Sequence, residues 1–190
     1  SFGAANAGNV ANFRLIGSNT GDNTYNINDT TGTVSNLIED GDATVAANNS
    51  TFNITPENVQ PGATNEFDGF DGNDTFNVTF VDGGVIPGAA GTTFVIRGNA
   101  NVAGPATDNR DRVNVNTTAD TGAARNLTFA YQNNASGDVD ILGLGTLLNI
   151  DTSETVVYLG DATNDDTVMV TGAAGQDSDL TVALRNNDSS

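Results

Sequence analysis

A short phrase of five or six residues returns along this chain, and it constrains the fold more than any other feature. It reads as an Asp/Asn turn, often Thr, an apolar residue, a polar residue, then Ile or Val. The first copies are Asp22-Asn23-Thr24-Tyr25-Asn26-Ile27 and Asn49-Ser50-Thr51-Phe52-Asn53-Ile54. Asn73-Asp74-Thr75-Phe76-Asn77-Val78 and Arg110-Asp111-Arg112-Val113-Asn114-Val115 follow. Gly137-Asp138-Val139-Asp140-Ile141 and Asp165-Asp166-Thr167-Val168-Met169-Val170 complete the set. Their first apolar residues, at 25, 52, 76, 113, 139 and 168, are 27, 24, 37, 26 and 29 residues apart. Steps of this size suit solenoid coils, each carrying two or three short strands and burying its apolar face against the next coil. The repeat therefore predicts an all-β fold: a parallel β-solenoid or β-helix of about six irregular coils. It forms one β-rich domain over residues 1–190, with a loop insertion at 99–111 that accounts for the long step. An antiparallel β-sandwich is the alternative, because short strands bounded by Asn and Gly resemble one another in either architecture.

The local patterning agrees with strands. Apolar and polar residues alternate in short runs separated by Gly, Asn and Asp, and no longer window keeps a helical period. Strands are predicted at Asn12–Ile16, Thr24–Ile27, Thr51–Ile54, Thr75–Val81, Thr92–Ile96 and Arg112–Val115. Further strands are predicted at Leu127–Tyr131, Asp138–Ile141, Leu147–Ile150, Thr155–Leu159, Thr167–Val170 and Leu180–Leu184. The best helix candidate is Thr33–Asp40. If the repeat is a coil, Tyr25, Phe52, Phe76, Val113, Val139 and Val168 form one inward column. Asn26, Asn53, Asn77, Asn114, Asp140 and Met169 then point outward.

Composition excludes several functions. The 190 residues carry 24 acids, six arginines and no lysine, a net charge of −18. That argues against nucleic acid, whose phosphates need basic residues. It argues equally against anionic membranes, and no stretch is apolar enough to insert into a bilayer. Without His or Cys the chain lacks the usual zinc, haem and iron–sulfur ligands and the Ser–His–Asp and Cys–His catalytic groups.

What remains is oxygen chemistry in acidic turns. The densest stretch, Glu66 to Phe76, holds Glu66, Asp68, Asp71, Asn73 and Asp74; another holds Asp161, Asp165 and Asp166. Hard cations such as calcium take six to eight oxygen ligands from carboxylates, carbonyls and water. Gly69-Phe70-Asp71-Gly72-Asn73-Asp74-Thr75-Phe76 resembles the glycine-aspartate nonapeptide of calcium-binding β-roll repeats (RTX-like) in secreted bacterial proteins. Gly160 to Val168 resembles it more weakly, with Asp161 and Thr163 where that family prefers Gly. The resemblance implies a calcium ligand role for these residues. In a β-roll, however, the nonapeptides follow back to back, whereas here they stand about a coil apart. The wider composition resembles bacterial surface-layer and adhesin-like segments: acidic, cysteine-free and rich in Thr, Asn, Ala and Gly.

Three functions are consistent with this reading. The first is a non-enzymatic extracellular structural protein, a subunit or segment of a surface layer, sheath or filament, stabilised by calcium and self-associating through strand edges. The second is an adhesin or module that binds cell-surface polysaccharide, with Phe67, Phe70 and Tyr131 as the aromatics to line a groove. The third is a polysaccharide-active β-helix enzyme using paired acids, either Asp138 with Asp140 or Asp165 with Asp166. Aromatic platforms for sugar cleavage are scarce, with no Trp and three Tyr, so no enzyme is expected. Asn53 and Asn77 lie in glycosylation sequons at outward strand positions. All three functions place the protein outside the cell or on its surface.

Overall fold

The computed structural model describes residues 12–18, 21–28, 35–41, 49–70, 72–99, 111–120, 124–132, 138–153, 155–161 and 163–172. Among these the chain is all-β. The strands are β1 Asn12–Ile16, β2 Thr24–Ile27, β3 Ser35–Glu39, β4 Thr51–Ile54, β5 Thr64–Asp68, β6 Thr75–Thr79 and β7 Thr93–Arg97. They continue as β8 Arg112–Asn116, β9 Asn126–Tyr131, β10 Val139–Leu142, β11 Leu148–Asp151, β12 Thr155–Leu159 and β13 Thr167–Thr171. One 3-10 turn, Pro56–Asn58, starts at a proline whose missing N–H needs no partner there. The predicted strand Leu180–Leu184 and most of the 99–111 segment lie outside the described residues.

Successive strands alternate between two sheets. The larger has the order β1-β3-β5-β7-β11-β10-β9-β13, the smaller β12-β8-β6-β4-β2. From β1 to β8 each strand pairs in parallel with the strand two further on, in unbroken register. β11 and β12 then extend the two stacks from β7 and β8. β10 is the one antiparallel strand among those described, joined to β9 and β11. Pairing is therefore mostly parallel, which sets aside the antiparallel alternative, and neither sheet closes on itself.

Thr33–Asp40 is not a helix. Its residues Ser35–Glu39 are β3, paired on both sides with β1 and β5. The apolar pair Leu37-Ile38 gives no period of its own. Two flanking ladders override a weak local preference here, since strand propensity is mostly neighbour packing. β5 was also missed, because its acids Glu66 and Asp68 read as part of a turn.

The inner faces share one hydrophobic cluster. In the smaller sheet the register places Tyr25, Phe52, Phe76, Val113 and Val156 in one column. The Tyr25–Phe52 and Phe52–Phe76 rings stack at 4.5 and 4.6 Å between centroids. Parallel in-register pairing sets that spacing, since strands lie about 4.8 Å apart. The first four members match the expected column; Val139 and Val168 do not. They belong to the other sheet, where Val139 pairs with Ile150 and Tyr131, and Val168 with Leu127. The antiparallel detour through β10 displaces them, and Val156 takes the fifth place. The expected outward residues include Met169, which is 52% exposed.

The larger sheet carries two inward columns, Phe13-Asn36-Asn65-Phe94-Leu148 and Leu15-Ile38-Phe67-Ile96-Ile150. The two asparagines are buried in the core. Asn36 Nδ2 donates to Asn65 Oδ1 at 2.9 Å, and Asn65 Nδ2 donates to the Thr93 carbonyl at 3.1 Å. A second polar anchor lies beside β9, where Arg125 Nε meets Asp120 Oδ2 at 2.6 Å, both side chains nearly buried. Arg125 also donates to the Gly84 carbonyl at 2.6 Å and lies 5.2 Å from the centre of the Phe80 ring.

Candidate functional site

Two polar constructions run along the smaller sheet: one at the corner where strands enter it, the other on its outer face.

The corner is built by the residue just before each strand. The Asn23 N–H donates to Ser50 Oγ at 3.0 Å, the Ser50 N–H to Asp74 Oδ1 at 2.7 Å, and the Asp74 N–H to Asp111 Oδ1 at 2.8 Å. The same relation recurs between β9 and β13, where the Arg125 N–H donates to Asp166 Oδ1 at 2.8 Å. Each side chain thus caps the backbone of the neighbouring repeat, satisfying a buried donor that no ladder reaches. Asp40 adds a hub: its carboxylate accepts from Asn23 Nδ2, the Tyr25 hydroxyl and Ser50 Oγ. Glycines make room at this corner. A Cβ at Gly69 would collide with the Asp74 carboxylate, and one at Gly98 with that of Asp111.

The corner perturbs its acids. Asp74 is fully buried, and its carboxyl is pushed up to about 8. Burial is the main cause; Asp40, Asp68 and Asp22 raise it further, against the lowering effect of the Ser50 N–H. Asp68 is pushed up to about 6, again chiefly by burial. It accepts from the Phe70 N–H at 3.0 Å and from Asn99 Nδ2.

The acids expected to ligate calcium are therefore dispersed by role. Glu66 points outward from β5 and pairs with Arg97 at 3.2 Å. Asp68 and Asp74 meet at the corner, while the Asn73 N–H donates to Asn49 Oδ1. Asp161 closes a turn, accepting from the Thr163 and Asn164 N–H groups, and is held below the usual carboxylate range chiefly by Thr163. Asp166 caps Arg125 and accepts from the Tyr158 hydroxyl, whereas Asp165 is exposed. Asp71 lies outside the described residues. Among the described residues no three His, Cys, Asp or Glu side chains are grouped so that they could hold a metal ion.

The other nominated residues have structural partners too. Asp140 accepts from Gln132 Nε2 and Asn149 Nδ2. Asp138 directly precedes β10, and its carbonyl accepts from the Gln132 N–H at 2.8 Å. Phe67 is fully buried, and Tyr131 packs against the core. Phe70 is half-buried and holds a left-handed φ of 56°.

The outer face carries the second construction. Asn26, Asn53, Asn77 and Asn114 stand in register on β2, β4, β6 and β8. Asn53 Nδ2 donates to Asn26 Oδ1 at 2.9 Å, Asn77 Nδ2 to Asn53 Oδ1 at 2.9 Å, and Asn114 Nδ2 to Asn77 Oδ1 at 2.8 Å. Arg112 Nε feeds the row, donating to Asn114 Oδ1 at 2.7 Å. A groove of about 400 Å³ opens over Asn53, Asn77, Asn114 and Arg112, bounded by Thr79, Asn116 and Leu159. The repeat marked these asparagines as outward. Their mutual bonding and the role of Arg112 carried no local signal beyond the Asn at the fifth place of four successive phrases. Asn53 and Asn77, the sequon asparagines, are both donors in this row.

The chain matches no family model, no curated protein and no solved structure.

Proposed function

We propose that this chain is a non-enzymatic structural protein of the cell exterior, a parallel β-solenoid that serves as a segment of a surface layer, sheath or filament. Its coils are the two-strand repeats of β1 to β8, continued by β11 and β12. The observation that carries this reading is the in-register parallel pairing of alternate strands, β1-β3-β5-β7-β11 in one sheet and β2-β4-β6-β8-β12 in the other; among the described residues the sheets end in β1 and β2 on one side and β12 and β13 on the other. Such edges present backbone donors and acceptors that another strand can complete. Residues toward the ends support the same view. Inward-facing Val168 on β13 is 46% exposed and Phe13 and Leu15 on β1 are only partly buried, while mid-stack Phe52, Phe76 and Val113 are fully buried. The acids of the corner serve as caps, a structural rather than a catalytic use. Among the described residues no helix is long and apolar enough to cross a membrane.

Sedimentation and electron microscopy of the purified chain test this. End-to-end polymers whose width matches one copy are expected. Ile16→Pro separates edge pairing from other contacts. The Gly17 N–H bonds the Glu39 carbonyl, so the alternating Ile16 N–H faces the open edge. Proline there removes an edge donor and spares the β1–β3 ladder. Shortened polymers from the variant support the reading; a monomer at every concentration of the intact chain overturns it.

A further inference from the structure

We infer that the outer face of the smaller sheet is a binding site for an extended, sparsely charged glycan, with Arg112 taking a uronic-acid carboxylate and the asparagine row taking ring hydroxyls. This goes beyond the structural role and does not depend on it.

Arg112 is the first reason. Among the described residues the other three arginines pair with carboxylates: Arg14 with Glu39, Arg97 with Glu66 and Asp151, and Arg125 with Asp120. Arg112 has no carboxylate partner among the described residues, although acids outnumber bases fourfold in this chain. Its Nε donates to Asn114 Oδ1, which fixes the guanidinium over the groove and leaves its terminal N–H groups to donate to a planar anion in fork geometry.

The asparagine row is the second reason. An amide offers two N–H donors and two acceptor lone pairs. Asn53, Asn77 and Asn114 each spend one donor and one lone pair inside the row. Each therefore keeps one donor beside one acceptor, the complement of a vicinal pair of hydroxyls. The row is held rigid by its own bonds, so little ordering is lost on binding. Its members repeat at the strand spacing of about 4.8 Å, close to the rise of one pyranose in an extended chain. Exposed Leu159 on β12 supplies an apolar contact for C–H groups at one end of the groove.

Net charge selects among acidic glycans. At −18 the protein repels a polyanion at long range. One arginine therefore favours an isolated carboxylate in an otherwise neutral chain over a polyuronate.

Nuclear magnetic resonance titration of the intact chain tests this in about 0.15 M salt, where the Debye length is about 8 Å. The probes are a neutral pyranose tetrasaccharide bearing one glucuronate, its methyl ester, acetate, and a short glutamate-containing peptide. The acid tetrasaccharide is expected to shift the side-chain amides of Asn53, Asn77 and Asn114 and the Arg112 Nε–H. Its ester should bind about tenfold more weakly, the loss of one charge-assisted contact. Arg112→Gln, at an exposed position and with an unchanged melt, should erase the difference between acid and ester. Acetate or the peptide binding as tightly as the tetrasaccharide overturns the glycan assignment. Acid and ester binding equally overturns the role of Arg112. No shift with any probe up to about 10 mM, where even a millimolar Kd would register, overturns the site.

Discussion

Asp111 Oδ1 accepts the backbone N–H of Asp74 at 2.8 Å, and Asp74 in turn accepts that of Ser50, so buried carboxylates link successive repeats like rungs. Each rung satisfies a donor outside the strand ladders, at the expense of placing like charges in one dry corner.

The resulting pH dependence is opposite in sign to that of an ordinary salt-bridged acid. Asp74 sits near 8 in the folded chain against an ordinary 3.8, so the folded state holds its proton longer than the unfolded state does. Its contribution to stability is complete at acid pH, declines as pH rises from about 4, and is lost by about 8. Asp68 adds a smaller decline that ends near 6. Asp74→Asn keeps an acceptor for Ser50 without the charge. Chemical denaturation across pH should show the variant gaining on the parent by roughly 1 kcal/mol per pH unit, levelling off above pH 8. A gap that does not change with pH contradicts the assignment.

Inside the larger sheet, Asn36 and Asn65 stabilise only as a pair. Asn36 Oδ1 is buried without a hydrogen bond, so the Asn36 amide already depends on its bond to Asn65. Asn65→Leu should cost about 2 kcal/mol by stranding that amide. Adding Asn36→Leu should recover part of the loss, whereas independent sites would add. Urea midpoints of the two single variants and the double variant decide this.

Backbone approach limits one glycine severely. Gly145 has φ of +95° and pairs with Ile86 in an isolated parallel bridge that ties the 84–87 segment to the loop before β11. A methyl there would strike the Ile86 carbonyl as well as require a left-handed backbone. Gly145→Ala should cost about 3 kcal/mol or more, combining overpacking with strain. A melting temperature within a degree or two of the parent would refute this geometry.

The asparagine row should show a gradient from middle to end. Asn77 makes two row bonds, Asn26 one. Asn77→Ala should therefore cost about 1 kcal/mol and Asn26→Ala a few tenths, since water replaces exposed partners cheaply. Equal effects would mean the row carries no stability.

Much of the backbone plan was legible in the chain itself. The strands from Thr24, Thr51, Thr75 and Arg112 follow from a period-two alternation between turn-forming Asp and Asn. Their outward asparagines follow from the same phrase, because strand side chains alternate faces wherever one face is buried. Charge and the missing His, Cys and Lys narrowed the chemistry on composition alone. Tertiary structure decided the rest. β3 and β5 have no strong pattern of their own and exist because parallel neighbours complete them on both sides. The detour through β10 moved Val139 and Val168 out of the expected column, and no local signal marks a change of strand direction. Above all, Asp74 and Asp111 cap backbone N–H groups of the neighbouring repeat. Sequence counts carboxylates, but only the packing of one repeat on the next determines which N–H groups they must satisfy.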